Sequence, residues 1–406
     1  MAKALFFSLP ASGHVNPSLP LVKELTRRGE QIVYFSSRPF AQIIQAAGAE
    51  YRPYRNEFLS DLGQIPEKLH ELSWLLMRTC SELLETELES LKRERPDYVI
   101  TDSVAPWGQW VGELLRVPVV TSTPTFAINR HVLAYGVKHG VRPKSAGVFF
   151  SKLRHIAKAL RLRREMRRRY GARGPAWMET VAGRSNLNIV YTSRYFQPCA
   201  GTFDERYQFV GPLMAARSDS NEFPWSELRD RKAVYVSLGT LFNADGAFYR
   251  RCFDAFGGED FPVILSAGAN VGLARLGTAP PNFVVRAHVP QLEVLQRTAA
   301  FVTHGGMNSV NEGLYNGVPL LVIPQMSEQE MVGRRVEELG AGIFLANEEV
   351  TAQRMRESVR RLLSDSGFTK QAMAVSESFR TTGGVARAAD AIIKYQGSCS
   401  TSRSSV

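Results

Sequence analysis

The chain has 406 residues, and its 44% hydrophobic content is enough to bury the cores of two ordinary domains. No apolar run approaches the ~18 residues of a membrane-spanning helix, and Cys80, Cys199, Cys252 and Cys399 are too scattered for zinc-ligand spacing. The net charge of +11 does not mark a nucleic-acid binder, because residues 153–171 alone carry +7 of it, with eight Lys/Arg against one Glu, and no nucleic-acid motif accompanies them.

The start, Met1 to Pro10, is short and reads as a first strand rather than a signal peptide. Free thiols in a cytoplasmic protein are therefore expected. Leu5–Leu9 reads as a strand, and Pro17–Arg28 as a helix with Leu19, Leu21, Val22 and Leu25 on its apolar face. Between them lies Ser12-Gly-His-Val-Asn-Pro17, where Asn16 suits a helix cap and Pro17 a first helical position, so that His14 sits on the connecting loop. Next come a strand at 31–35, a helix at 39–47, a long helical stretch over 65–94, a strand at 97–101, a helix at 107–115 and a strand at 118–122. Strands alternating with helices imply a parallel sheet covered on both faces.

Residues 153–171 predict a helix with Leu153, Ile156 and Leu160 on an apolar stripe and a basic opposite face. Three readings stay open for that face: plain solvation, weak contact with an anionic membrane surface, or attraction of an acidic substrate or nucleic acid. Asn188–Thr192 is expected to close the first sheet, with a further apolar stretch at 209–213. Met214 to Phe223 is polar and aperiodic, which makes it the best linker. A second alternating series follows, with strands at 233–237, 262–266, 283–286, 299–303 and 319–323. The expected boundaries are a first domain over 1–213, a linker over 214–228, a second domain over 229–384, and a disordered, apolar-poor tail over 397–406.

Chemistry-bearing residues gather after the strands, where ligands of doubly wound sheets bind. His14 follows the first strand and titrates near neutrality, so it can take a proton from a hydroxyl. Asp102 ends the strand 97–101 and can orient that histidine; its other reading is a cap for the helix behind it. The string Thr303-His-Gly-Gly-Met-Asn-Ser-Val-Asn-Glu312 joins a buried strand to a helix over 308–315. Its glycines admit a close ligand, its helix start suits an anion, and His304, Asn308 and Ser309 add donors. Glu312, one turn further in, is an acceptor suited to sugar hydroxyls. Ser237-Leu-Gly-Thr240 is a second such turn, and the neighbouring Glu328 and Gln329 can read hexose hydroxyls.

The full string 303–312, together with Gly13-His-Val-Asn-Pro17, resembles the family 1 glycosyltransferases, and within them the macrolide glycosyltransferase group. The resemblance covers nearly the whole chain. It implies the GT-B fold: two facing Rossmann-like doubly wound parallel-sheet domains with an interdomain cleft, the first binding acceptor and the second nucleotide sugar. It also implies that a last helix, about 385–396, packs back on the first domain. His14 becomes the general base with Asp102 behind it. The turn with Ser237 and Thr240 lies against the diphosphate, as do Gly306 and its neighbours. His288 and Val289 face the base and Gln291 the ribose. His288 departs from the family's usual Trp, and Glu328 from its commoner Asp.

Attack on the anomeric carbon in line with departure of a nucleoside diphosphate needs one base and a diphosphate site, and inverts the anomer. The sequence has no Asp-x-Asp triplet, so no metal and no cofactor are expected beyond the co-substrate, read as UDP-glucose. Trp74, Met77, Trp107 and Phe126 are candidates for an apolar acceptor pocket, suited to a macrolide, flavonoid or other polyketide. The alternatives are a TDP-sugar-dependent transferase, a nucleotide-sugar epimerase, which the Gly-His turn argues against, and a non-catalytic nucleotide-sugar-binding partner. Either a monomer or a homodimer is compatible with the sequence.

Overall fold

The computed structural model describes residues 1–55, 59, 69–140, 148–175, 179–214, 223–228, 231–239, 246–268 and 276–404. Met1–Ala215 with Thr382–Val406 form one compact unit, and Ala216–Thr381 form the other. Each unit is an all-parallel sheet flanked by helices.

The first sheet contains β1 Lys3–Phe7, β2 Gln31–Ser36, β3 Glu50–Pro53, β4 Tyr98–Asp102, β5 Val119–Thr123, β6 Leu187–Val190 and β7 Tyr207–Phe209. Its order is β3-β2-β1-β4-β5-β6-β7, so the chain reverses its direction of travel between the adjacent strands β1 and β4. The helices are α1 Ser12–Arg27, α2 Ala41–Ala46, α3 Leu69–Glu94, α4 Pro106–Leu115, α5 Arg130–Lys138, α6 Val148–Tyr170 and α7 Glu179–Ala182. The central strands are buried almost throughout, because helices cover both faces. On one face, Leu76, Met77, Cys80, Leu83 and Leu84 of α3 pack with Trp107 and Trp110 of α4. On the other, Leu21, Val22 and Leu25 of α1 pack with Ala388, Ala389 and Ile392.

Those last three belong to the final helix, α14 Gly384–Ser404, which is part of the first unit. Arg28 beside the end of α1 donates to Asp390 and to the carbonyl of Ala386. The expected disordered tail is corrected: the helix runs on to Ser404. Extending a helix already nucleated and docked costs little, even through Ser-rich sequence.

The second sheet contains β8 Ala233–Ser237, β9 Val263–Ser266, β10 Phe283–Arg286, β11 Thr298–Thr303, β12 Leu320–Val322 and β13 Gly342–Phe344, in the order β10-β9-β8-β11-β12-β13. Its helices are α8 Gly246–Phe256, α9 Gln291–Gln296, α10 Met307–Tyr315, α11 Ser327–Glu338, α12 Ala352–Ser364 and α13 Ser366–Arg380. Its reversal falls between β8 and β11, with Ser237 and Thr303 paired at their carboxyl ends.

Other expectations are adjusted. β6 does not close the first sheet; β7 lies beyond it and ends at Phe209, where the apolar stretch 209–213 begins. Gly211, at φ +77°, and Pro212, which has no N–H, end the strand there. Of the expected linker, 215–222 lie outside the described residues, and Trp225–Leu228 form a 3-10 turn. In α6 the side chains that reach the core are Ala159 and Met166, with Ile156 and Leu160 only half-buried; the Leu153 side chain lies outside the described residues. Part of its basic face is engaged: Arg161 pairs with Glu165, Arg169 with Glu85, and Arg163 donates to the carbonyls of Arg173, Gly174 and Pro175. No helix among the described residues is long and apolar enough to cross a membrane, and all four cysteines are free.

Candidate active site

His14 does not sit on a loop. The helix α1 starts at Ser12, five residues earlier than the expected Pro17, with Ala11 rather than Asn16 as its N-cap, and His14 lies in its first turn. The carbonyl of Ala11 accepts from both His14 N and Val15 N at 2.9 Å, so the turn closes before the prolines arrive. Pro17 and Pro20 lie inside the helix, where they withhold two N–H donors without ending it.

From that turn His14 Nδ1 meets Asp102 Oδ2 at 2.8 Å. β1 and β4 are neighbours, so the topological switch point itself brings the two together. An ionised carboxylate only accepts; Nδ1 therefore carries the proton and Nε2 is left as the basic nitrogen. Asp102 is buried, and His14 keeps 16% of its side chain exposed, so the ring has access to solvent while its partner does not. The other carboxylate oxygen, Oδ1, accepts from Val104 N at 2.9 Å. Asp102 is therefore not the cap of α4, whose N-cap is Ala105 without a side-chain bond. Asp97, at the opposite end of β4, accepts from Lys3 N at 2.7 Å, far along the strand from this pair.

The second cluster sits at the carboxyl edge of the second sheet. Ser237 ends β8, His304 follows β11, His288 lies two residues after β10, and Glu328 and Gln329 open α11 after β12. Thr240 lies outside the described residues. Two close approaches fix His304. A Cβ on Gly239 would stand 2.6 Å from its Cε1, and one on Gly306 would stand 2.4 Å from its Nε2. Only glycine fits on either side of this ring. Gly239, at φ +75°, also needs the conformation that side chains rarely adopt. His304 Nδ1 is buried without a hydrogen-bond partner among the described residues. Burial pushes the imidazole pKa down to about 4, against a smaller opposing pull from the Ser237 backbone. The ring is neutral at pH 7 and brings one N–H donor.

Gly306 is the N-cap of α10, and the first turn, with half-buried Asn308 and Ser309, presents N–H groups that helix geometry leaves without an intrahelical acceptor. Glu312, one turn on, is buried and accepts from Gln291 Nε2 at 2.5 Å. Gln291 Oε1 accepts in turn from the hydroxyl of Tyr235 at 2.9 Å. Tyr235 went unread in the sequence. Its signal was period-two spacing: a polar-tipped aromatic two residues before Ser237 on the same strand. His288 is exposed, whereas Val289 is buried. Glu328 is exposed, but the Gln329 carbonyl turns back to accept from Gln325 N at 2.8 Å and Met326 N at 3.1 Å. Only the amide NH2 of Gln329 remains to meet a ligand.

The acceptor candidates need correction. Met77, Trp107 and Phe126 are core residues. Trp107 is fully buried and donates to the Tyr54 hydroxyl at 3.2 Å, and Phe126 packs on Phe196 with ring centroids 5.4 Å apart. A large apolar ring on the inner side of a helix stabilises the core most when wholly buried, which removes it from any ligand. Trp74 alone stays half-buried, with Lys158 Nζ 5.7 Å over its ring.

Two all-parallel sheets, a His14–Asp102 pair at one switch point and a glycine-flanked helix start beside a buried carboxylate at the other are the arrangement that the resemblance to GT-B transferases implies. Comparison with known proteins agrees. Residues 250–396 match the family described as erythromycin biosynthesis protein CIII-like, C-terminal domain. The chain is 32% identical over 404 residues to the uncharacterized UDP-glucosyltransferase YojK of Bacillus subtilis (strain 168), covering 97% of each. It is 34% identical over 409 residues to the demethyllactenocin mycarosyltransferase of Streptomyces fradiae, covering 97% of this chain and 86% of that one. The crystal structure of CalG4, the calicheamicin glycosyltransferase, superposes with a TM-score of 0.80 at 31% identity over 98% of both chains. The chain belongs to the family 1 GT-B glycosyltransferases, in their macrolide glycosyltransferase-like bacterial group, and is a glycosyltransferase of natural-product type.

Proposed function

We propose that the protein moves a hexose, glucose in the first instance, from a UDP-sugar to a hydroxyl of a lipophilic small molecule such as a macrolide, flavonoid or other polyketide, with inversion and without a metal. The observation that carries this reading is the His14 Nδ1–Asp102 Oδ2 pair at 2.8 Å. His14 Nε2 takes the proton of the acceptor hydroxyl as its oxygen forms the new bond to the anomeric carbon. The bond from that carbon to the diphosphate oxygen breaks, and UDP leaves with the electron pair. Asp102 holds the tautomer and stabilises the imidazolium that forms. A single displacement of this kind inverts the anomer.

On the donor side, the N-terminal turn of α10 and the side chains of Asn308, Ser309, Ser237 and Thr240 are assigned to the diphosphate, where helix N–H groups stand in for a metal's charge. Gln291 and Glu312 are assigned to the ribose, His288 and Val289 to the base, and Glu328 with the Gln329 amide to the hexose. Acceptors that read hydroxyls favour glucose, as does the likeness to a UDP-glucosyltransferase. A deoxysugar donor is the second reading, favoured by the likeness to a mycarosyltransferase.

The test is turnover of UDP-glucose and TDP-sugars against a panel of macrolides and polyphenols, with EDTA present, for wild type and His14→Ala, read by mass spectrometry. Product from UDP-glucose that falls about a hundredfold or more in the variant is the expected result. Product that persists in His14→Ala, or that EDTA abolishes, would overturn the base or the metal-free assignment respectively. Product from TDP-sugars alone would move the reading to the second donor.

A further inference from the structure

Tyr235 lies in the middle of β8, opposite Phe301 of β11 in the register, and its ring stacks on that phenylalanine with centroids 4.6 Å apart and planes 17° apart. The ring is buried at 1% exposure, yet its hydroxyl is directed to a side chain of the nucleotide cluster. It donates to Gln291 Oε1 at 2.9 Å, and Gln291 Nε2 donates to Glu312 Oε2 at 2.5 Å. The three groups form a chain with one sense. A carboxylate can only accept, so it takes the NH2 end of the amide, and the phenol takes the carbonyl end. An amide held at both ends cannot turn about its last torsion, so the carboxylate it grips keeps a fixed plane. Low exposure at Glu312 strengthens each of these bonds relative to water.

We propose that Tyr235 is a positioning residue for ribose recognition: through Gln291 it holds the Glu312 carboxylate in the plane that accepts from the 2′- and 3′-hydroxyls together. This inference rests on the assignment of Gln291 and Glu312 to the ribose. A vicinal diol offers a fixed carboxylate two donors, and a 2′-deoxyribose offers one. A carboxylate free to rotate would settle on the single remaining hydroxyl with little loss. A fixed one forgoes a bond, so the relay sets a preference for ribonucleoside over 2′-deoxyribonucleoside diphosphates. Sites built to bond a hydroxyl reject the analogue that lacks it more strongly than apolar pockets reject a missing methylene.

The probes are UDP and 2′-deoxy-UDP, which differ only at the atom in question. Each is titrated calorimetrically into wild type, Tyr235→Phe, Gln291→Ala and the double variant. Wild type is expected to bind UDP about tenfold or more tighter than 2′-deoxy-UDP. Tyr235→Phe keeps the ring and its stack on Phe301, so the thermal midpoint and the affinity for 2′-deoxy-UDP should hold while the UDP preference shrinks several-fold. Adding Tyr235→Phe to Gln291→Ala should change nothing further. Equal weakening of both nucleotides by Tyr235→Phe would mean a merely structural tyrosine and overturn the proposal. So would a wild type that binds UDP and 2′-deoxy-UDP alike, or an undiminished effect of Tyr235→Phe in the Gln291→Ala background. Failure of wild type to bind either nucleotide is a separate result: it removes the donor assignment itself, and the relay with it.

Discussion

Replacing Asp102 by Asn tests the catalytic pair at a single atom. Asp102 Oδ1 already accepts from Val104 N, and an asparagine carbonyl takes over that bond unchanged. The amide NH2 then occupies the place of Oδ2, 2.8 Å from His14 Nδ1. That nitrogen must become an acceptor, so the imidazole proton moves to Nε2 and the histidine loses the lone pair that would receive the acceptor's proton. The side chain stays filled and hydrogen-bonded, so the fold should survive, and nucleotide binding to the second unit should be untouched. General-base catalysis is worth about 10²–10⁴-fold, and an amide swap behind a triad histidine costs ~10⁴. The expected loss in kcat is about 10²–10⁴-fold, or ~3–5 kcal/mol of activation free energy. Steady-state kinetics at saturating donor, with calorimetric UDP binding as the control, measure it. A variant that keeps UDP affinity and loses less than about tenfold in kcat would refute the tautomer argument, because one proton on the wrong nitrogen cannot be a partial defect.

Gly306→Ala places a methyl 2.4 Å from His304 Nε2, so the ring must leave its seat; UDP affinity should fall about tenfold or more, checked by calorimetry. His304 gives a pH dependence with a definite sign. Its folded pKa of about 4 lies below the ordinary 6.5, so the unfolded chain takes up the proton first. Stability from this residue is complete above pH 6.5 and lost as pH falls toward 4, by roughly 3 kcal/mol in all. Urea midpoints at pH 7 and 4.5 should separate by less in His304→Asn than in wild type; equal separations would refute it. Ile392 of α14 is fully buried in the first unit's core, so Ile392→Ala should cost about 2–5 kcal/mol in chemical unfolding. The exposed partner Asp390 makes Asp390→Ala a matched control within about 1 kcal/mol.

A strand covered on both faces is mostly apolar, which is why β8, buried along its whole length, stands in the sequence with its observed ends, Ala233–Ser237. The strands that escaped reading lie at sheet edges. β3, Glu50–Pro53, is half-exposed and mostly polar, and β13, Gly342–Phe344, is three residues long. Neither needs the apolar run that marks a central strand. The start of α1 was misplaced for a related reason. Pro17 after Asn16 is a proper local start signal, but the backbone bonds that His14 N and Val15 N donate to the Ala11 carbonyl close a turn before it, and such bonds leave no mark on side-chain identity. Trp107 and Met77 show the converse limit: an aromatic or thioether on a helix reads alike whether it lines a pocket or fills the core, and only packing tells them apart.

His14, Asp102, Ser237 and His304 share one property: each lies at or just after a strand end beside its sheet's reversal of direction. His14 and Asp102 are separated by 88 positions and meet because β1 and β4 are adjacent there. Ser237 and Thr303 are paired for the same reason in the second sheet, which sets His304 between Gly239 and Gly306. A motif at such a place needs no long-range contact to be foreseen, since the topology supplies it. Tyr235 differs. It acts from the middle of a strand through a second side chain, and its partner Gln291 comes from a different turn, 56 residues on. Its ring meets every demand of a core residue, and period-two spacing puts it on the face of Ser237 without naming the partner of its hydroxyl. A relay of this kind shows itself only when both ends of the amide can be followed to their partners.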